Sequence, residues 1–306
     1  MVEKKILIAD VIDFLGDSVI NVYGNTENVY VDNVADVAHV NATTLDWVNA
    51  SKSNKQEIAE TSVAKVMIVS KGVEYSDVLQ QSNKVLIVVE KPRYFMAKII
   101  THFFATKYPF GIHPSAVVDP EAVIDPSAYV GPACVIGKAK IGAGSVLVAG
   151  VVIYDNVQIG ENCLIQAGAI IGTDGLGCSR EKDGTLIKFP HLGGVVIGNN
   201  VEIGANCQIA KGALSDTFID DGCKINGLCF IAHNSHLEKN VWITGDTMLC
   251  GSTHVEQNTT IYSNVIIREQ SHIGSGVTIG MGSVVTKDIP NGETWYGSPA
   301  RKAEKK

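Results

Sequence analysis

At 306 residues and 45% apolar content, the chain has an ordinary globular length, enough for one long domain or two. Its net charge of −7 argues against a nucleic-acid partner, which needs a concentrated basic surface. Met1-Val2-Glu3-Lys4-Lys5 leads into a short apolar stretch broken by Asp10 and Asp13, so no leader peptide is expected. No apolar run approaches the ~20 residues that span a bilayer.

Residues 1–108 carry no long-period repeat and are predicted to form a small α/β domain. A helix-like opening precedes a strand at Val29-Tyr30-Val31, and Leu45 to Lys65 has a helix-like pattern, polar on one side. Val66-Met67-Ile68-Val69 and Val85-Leu86-Ile87-Val88-Val89 are strand-like. Pro92 starts an amphipathic helix with Phe95, Ile99, Ile100 and Phe103 at helical spacing. The joint falls near Tyr108-Pro109-Phe110-Gly111.

From there to residue 289 an aliphatic residue recurs at every sixth position. The series runs Ile112, Val118, Ile124, Val130, Ile136, skips to Ile141, and continues to Ile171. It reappears at Ile197, Ile203 and Ile209, then holds without a miss from Ile219 to Val285. A period of six is neither the 3.6 of a helix nor the 2 of a flat sheet. It is the mark of hexapeptide repeats, in which each hexad forms one face of a prism and three hexads form a coil of parallel β-helix. Two places before the aliphatic the residue is almost always small, as at Ala128, Cys134, Ser145, Thr217 and Ser235. Large side chains there would not fit inside a narrow, densely packed prism. Five of the seven cysteines (Cys134, Cys163, Cys207, Cys223 and Cys229) belong to this column, and no C-x-x-C occurs. They read as small buried hydrophobes in a reduced, cytoplasmic protein.

Two stretches interrupt the prism. Thr173 to Gly194 is Gly-rich and is predicted to project as a hairpin or loop; Ala210 to Asp216 is a shorter break. Loops on a rigid scaffold concentrate function, so both outrank the regular coils as site candidates. Residues 290–306 are predicted to cap the rod through Trp295 and Tyr296 and to end in a small basic, solvated tail, Arg301-Lys302-Ala303-Glu304-Lys305-Lys306.

His233 follows Ile231-Ala232 at the bend of a coil, and one coil later the same column holds Gly251. Coils are about 4.8 Å apart. A histidine on one coil and an unshielded glycine N–H on the next form a workable acyl-transfer pair, base and oxyanion donor. The alternative is a bend histidine that only satisfies a neighbouring carbonyl. His236, His254 and His272 share another column. They are either a metal ladder or trimer-axis cluster, or a surface column at a prism corner. Ligands strung along a line, every second pair roughly 9–10 Å apart, do not converge on one ion. His113, His191, His39 and His102 gain no role from sequence.

IAKGALSDT (209–217), FIAHN (230–234), GTDGLG (172–177) and FPHLGGVVIG (189–198) resemble the LpxD family, UDP-3-O-(3-hydroxyacyl)glucosamine N-acyltransferases of lipid A synthesis. LDWVNASKS (45–53), VAKVMIVS (63–70) and KPRYFMAKIITHFF (91–104) are similar to that family's nucleotide-binding domain and its closing helix. The resemblance implies a homotrimer of left-handed β-helices with sites between subunits. His233 would be the general base, Gly251 the oxyanion donor, and the amine of a nucleotide-linked amino sugar the nucleophile. The acyl donor would be a thioester on acyl carrier protein, with no metal and no other cofactor. Trp47 would stack on the base, and Asn226, Asn234, Gln270 and Asp216 would line the substrate site.

Departures from the family pattern bear on substrate. Its aspartate seven residues before the histidine is Asn226, its second histidine aligns with Gln270, and its second stacking aromatic aligns with Ser53 or Asn54. The ending Tyr296-Gly297-Ser298-Pro299-Ala300 is similar to nucleotide-sugar acetyltransferases that use acetyl-CoA. Three readings follow: an LpxD-like N-acyltransferase, an acetyl-CoA-dependent N-acetyltransferase of a UDP- or dTDP-amino sugar, and a non-catalytic β-helix binding module.

Overall fold

The computed structural model describes residues 5–303. Met1 to Lys4, where the absence of a leader was read, and Glu304 to Lys306 of the basic tail lie outside the described residues. The chain divides into two compact units, with the joint between Lys107 and Tyr108.

The first unit is a four-stranded sheet flanked by short helices. Its strand order is Val19–Tyr23, Val85–Val89, Val66–Val69, Leu45–Trp47; the first pair is antiparallel and the others parallel. Every residue of the two central strands is buried, as expected of a sheet covered on both faces. Alternation sends Val66 and Ile68 into one apolar cluster and Met67 and Val69 into the other. Helices Ile8–Leu15 and Pro92–Ile99 contribute to the first cluster, and Lys55–Thr61 contributes Ala59 to the second. The predicted helix from Leu45 to Lys65 is corrected: it opens as the strand Leu45–Trp47, paired with Val66, Met67 and Ile68, and only Lys55–Thr61 is helical. Pairing with a central buried strand outweighs the local periodicity here.

The second unit is a three-faced parallel β-helix. Strands stack into sheets of 11, 9 and 8 members, one per face, with partners such as Phe230 and Met248 in adjacent coils. The six-residue aliphatic column points inward; Ile219, Ile231, Leu249, Ile267 and Ile279 are all 0% exposed. The small column is buried with it, and several of its hydroxyls bond to backbone carbonyls, as Thr217 Oγ1 does to Ala210 (2.8 Å) and Ser145 Oγ to Gly160 (2.7 Å). Corners require a left-handed residue. Asn234, Ser252 and Gln270 occupy one corner at φ 58°, 60° and 59°, and Asn206, Leu228, Asp246 and Asn264 another at 55°, 62°, 58° and 60°. Asparagine and aspartate tolerate that region better than most side chains, which explains their recurrence.

The excursion after Ile171 is an antiparallel hairpin, Gly177–Arg180 against Leu186–Phe189. At the far end Thr294–Tyr296 joins the 11-stranded face and pairs antiparallel with Arg301–Lys302, while Trp295 packs on the core at 6% exposure. Among the described residues no helix is long and apolar enough to cross a membrane.

Candidate functional site

His233 sits half-buried at the corner after the strand Phe230–Ile231. Both excursions close around that corner. The shorter one is tied to it by Asn234: the N–H of Ala213 donates to Asn234 Oδ1 (3.0 Å), and Asn234 Nδ2 donates to the Ser215 carbonyl (3.2 Å) and hydroxyl (2.9 Å). A backbone N–H can only donate and a carbonyl can only accept, so these bonds fix which end of the amide is oxygen. That oxygen lies 3.1 Å from His233 Nδ1, which must then carry the ring proton. The lone pair of His233 is thereby placed on Nε2, the tautomer a general base requires.

Nε2 faces the next coil. A Cβ built on Gly251 would lie 2.7 Å from both Cε1 and Nε2 of His233, so the ring occupies space that any side chain at 251 would claim. On either side of Gly251 the amides are engaged: Cys250 N–H donates to the Ile267 carbonyl (3.0 Å) and Ser252 N–H to the His233 carbonyl (2.8 Å). The Gly251 N–H has no hydrogen-bond partner among the described residues. A neutral imidazole lone pair and a bare backbone donor therefore meet at one corner. That arrangement can take a proton from a nucleophile and stabilise the oxyanion formed at an attacked carbonyl.

The hairpin supplies the opposite wall. A Cβ on Gly175 would meet His191 Nε2 at 2.6 Å and His233 Cδ2 at 2.8 Å, and the two imidazoles lie 5.1 Å apart, edge to face. Sequence reasoning missed His191, because it lies in a segment without period; the nearest signal is its Gly-flanked setting in FPHLGG. Beside Gly175, Asp174 receives Lys188 (2.5 Å) and Lys211 (3.0 Å), which hold its carboxyl down at about 2 through hydrogen bonds to both ammonium groups. Lys211 belongs to the shorter excursion, so this ion pair ties the two excursions together.

The remaining candidates fall in different places. Asp216 Oδ1 accepts the Gly194 N–H at 2.7 Å, so its carboxylate, like the Asn234 amide, builds the wall of the site. Asn226 is at the preceding corner, where Oδ1 accepts the Gly227 N–H (2.7 Å). It lines an open groove of about 420 Å³ with Lys224, Trp242 and Thr244, away from His233 within this chain. Gln270 is exposed two coils above Asn234 and shares that residue's column; Glu269 occupies the His233–Gly251 column instead. Trp47, in the first unit, packs partly on its core and lines a groove of about 410 Å³ with Val37, Val40, Asp46 and Val63. His236, His254 and His272 lie on strands of the third face, not at a corner. Each Nε2 approaches a carboxylate of the preceding coil: Asp220 (3.3 Å), Glu238 (2.9 Å) and Glu256 (2.7 Å). No group of three or more metal-binding side chains occurs among the described residues.

Fold and corner together define a class: a left-handed parallel β-helix of hexapeptide repeats. The family described as "Bacterial transferase hexapeptide (six repeats)" matches residues 138–173 and 252–287. The resemblance to N-acyltransferases recurs in two curated relatives named UDP-3-O-acylglucosamine N-acyltransferase. One, from Maricaulis maris, is 46% identical over 45% of this chain and 40% of its own length; the other, from Caulobacter vibrioides, is 44% identical over 45% and 40%. The matched segment thus spans two fifths of those relatives. Among solved structures, LpxA from Acinetobacter baumannii is similar with a TM-score of 0.57 at 28% identity, over 63% of this chain and 73% of that one.

Proposed function

We propose that the chain is an N-acyltransferase that moves an acyl group from a thioester to the amine of a nucleotide-linked amino sugar, in lipid A or related envelope synthesis. The observation that carries this reading is His233 Nε2 lying against Gly251, whose N–H is bare. The names of the curated relatives support the acceptor class. The amine nitrogen attacks the thioester carbonyl carbon and forms the C–N bond. His233 Nε2 takes the amine proton while the Gly251 N–H receives the oxyanion. When the tetrahedral intermediate collapses, the C–S bond breaks and His233 returns its proton to the departing thiolate. No metal or further cofactor enters these steps.

The donor in this reading is an acyl group on acyl carrier protein, and the working unit is a homotrimer in the cytoplasm. An apolar column on the outer side of the 9-stranded face supports association: Val117, Val135, Met248 and Ile266 are 65%, 45%, 43% and 42% exposed. Seven free cysteines accord with a reducing compartment.

The test is turnover of a UDP-linked amino sugar with a hydroxyacyl carrier protein and with acetyl-CoA, offered in parallel, for the wild type and His233→Ala. The variant is expected to stay folded and lose at least ~10²-fold in turnover. Undiminished turnover by His233→Ala would overturn the assignment, and saturation by acetyl-CoA alone would replace the carrier-protein donor.

A further inference from the structure

We infer that His191 is a positioning residue for His233: its buried lone pair seats the second imidazole and favours the protonated form of that ring. The inference rests on the reading of His233 as a base and deepens it. His191 is 4% exposed, and its Nδ1 lies 3.1 Å from the Phe189 carbonyl. A carbonyl only accepts, so Nδ1 bears the proton and Nε2 bears the lone pair. That Nε2 is buried and has no hydrogen-bond partner among the described residues. Buried acceptors are almost always satisfied, and one left unpaired in a native interior calls for a reason.

The reason is at hand in the neighbouring ring. One point, the Cβ position of Gly175, lies 2.6 Å from His191 Nε2 and 2.8 Å from His233 Cδ2, so the lone pair and the C–H edge of His233 share one small space. The rings are 5.1 Å apart at 72°, an edge-to-face packing that restrains both. When His233 gains a proton, positive charge spreads over its ring. Its one polar side-chain partner among the described residues, Asn234 Oδ1, is neutral. The carboxylates nearby are committed elsewhere: Asp174 to Lys188 and Lys211, and Asp216 to the Gly194 amide. Glu269 stands two coils up in the same column, and Asn226 replaces any carboxylate at the preceding corner. The negative end of the His191 imidazole is therefore the group best placed to meet the new charge, in an interior where such contacts are stronger than in water.

The test is a ¹⁵N-histidine titration of the full chain, wild type against His191→Phe and His191→Gln, with circular dichroism melts to check folding. His191→Phe keeps a ring and removes the lone pair; it is expected to weaken protonation of His233 roughly threefold, a shift of its titration midpoint to lower pH. His191→Gln, whose Oε1 offers an acceptor, should recover much of that shift. In the wild type, the His191 Nε2 resonance should move in step with protonation of His233, which needs no variant to fold. An unchanged His233 titration in folded His191→Phe, or a wild-type Nε2 resonance indifferent to His233, would overturn the inference. These readouts need no turnover, so active His233→Ala would sink the catalytic reading without touching them. If both hold, the acid limb of kcat/KM moves to lower pH in His191→Phe by the same interval.

Discussion

His233 and Gly251 stand on successive coils at one corner, and the imidazole fills the volume into which a side chain at 251 would grow. The glycine is not there for its backbone freedom. Its φ lies outside the positive range that 14 of the 30 glycines adopt, so other residues could take the same conformation. What position 251 requires is the absence of a Cβ.

Gly251→Ala should therefore separate folding from function. The backbone angles suit alanine, but the new Cβ would stand 2.7 Å from Cε1 and Nε2 of His233 and must push the ring aside. Displacement of a reacting group by about 1 Å costs on the order of 10²-fold in rate. The variant is expected to melt close to the wild type while kcat/KM for acyl transfer drops by about that factor. Equal kcat/KM in both proteins would mean that the juxtaposition has no part in turnover.

Acid should loosen the two excursions. The Asp174 carboxyl titrates at about 2 in the folded chain because Lys188 and Lys211 bond to it, against about 3.9 in an unfolded one. A depressed folded value gives stability that is complete above pH ~4 and is lost as the pH falls through about 2. The difference in melting temperature between the wild type and Asp174→Asn should hold steady from neutral pH to about pH 5, then close toward pH 2. Asp174 is 42% exposed, so salt should shrink the difference as well. A gap that widens on acidification would contradict the assignment of these bonds.

The legible part of this molecule is the part with a period. Six-residue recurrence reports burial directly, because every coil presents the same inward position, and Ile231, Leu249 and Ile267 fall where it puts them. The His233–Gly251 column was readable for the same reason, since one coil is eighteen residues. Gln270 had no such signal: it stands in the column of Asn234, and only the resemblance singled it out. The excursions have no period, so neither His191 nor the bonds by which Asn234 and Asp216 fix them could be read in advance. In the first unit, Leu45, Val48, Ile58 and Ala59 mimic helical spacing, while the burial of Val66 to Val69 as a central strand is what draws Leu45–Trp47 into the sheet.

Leu228 marks a strained corner. Its column also holds Ala133, Gly150, Gly168, Asn206, Asp246, Asn264 and Gly282, all at positive φ, and Leu228, the largest of them, joins at 62° while 59% exposed. A branched apolar side chain has no local hydrogen bond to offset that conformation. Leu228→Asn should stabilise the chain by about 1 kcal/mol, read as a higher urea midpoint at unchanged slope. A midpoint equal to or below that of the wild type would show that the leucine gains more from its contacts than the corner costs it.

Trp47 offers the most direct probe of the first unit. It is half-buried on the last strand of the sheet, beside Val37 and Val63, which are 94% and 62% exposed around an open groove. An indole in such a groove presents a flat apolar surface on which a nucleobase can stack, a contact worth about 1–3 kcal/mol by alanine substitution. Adding a uridine or thymidine nucleotide should change the tryptophan fluorescence, and Trp47→Ala should abolish that change. The same variant should raise KM for the nucleotide sugar by roughly fivefold to a hundredfold with kcat little altered, because a contact made equally in ground and transition states affects binding alone. Unaltered fluorescence at millimolar nucleotide, together with an unaltered KM in Trp47→Ala, would remove the base from this groove and leave Trp47 as packing for the sheet edge.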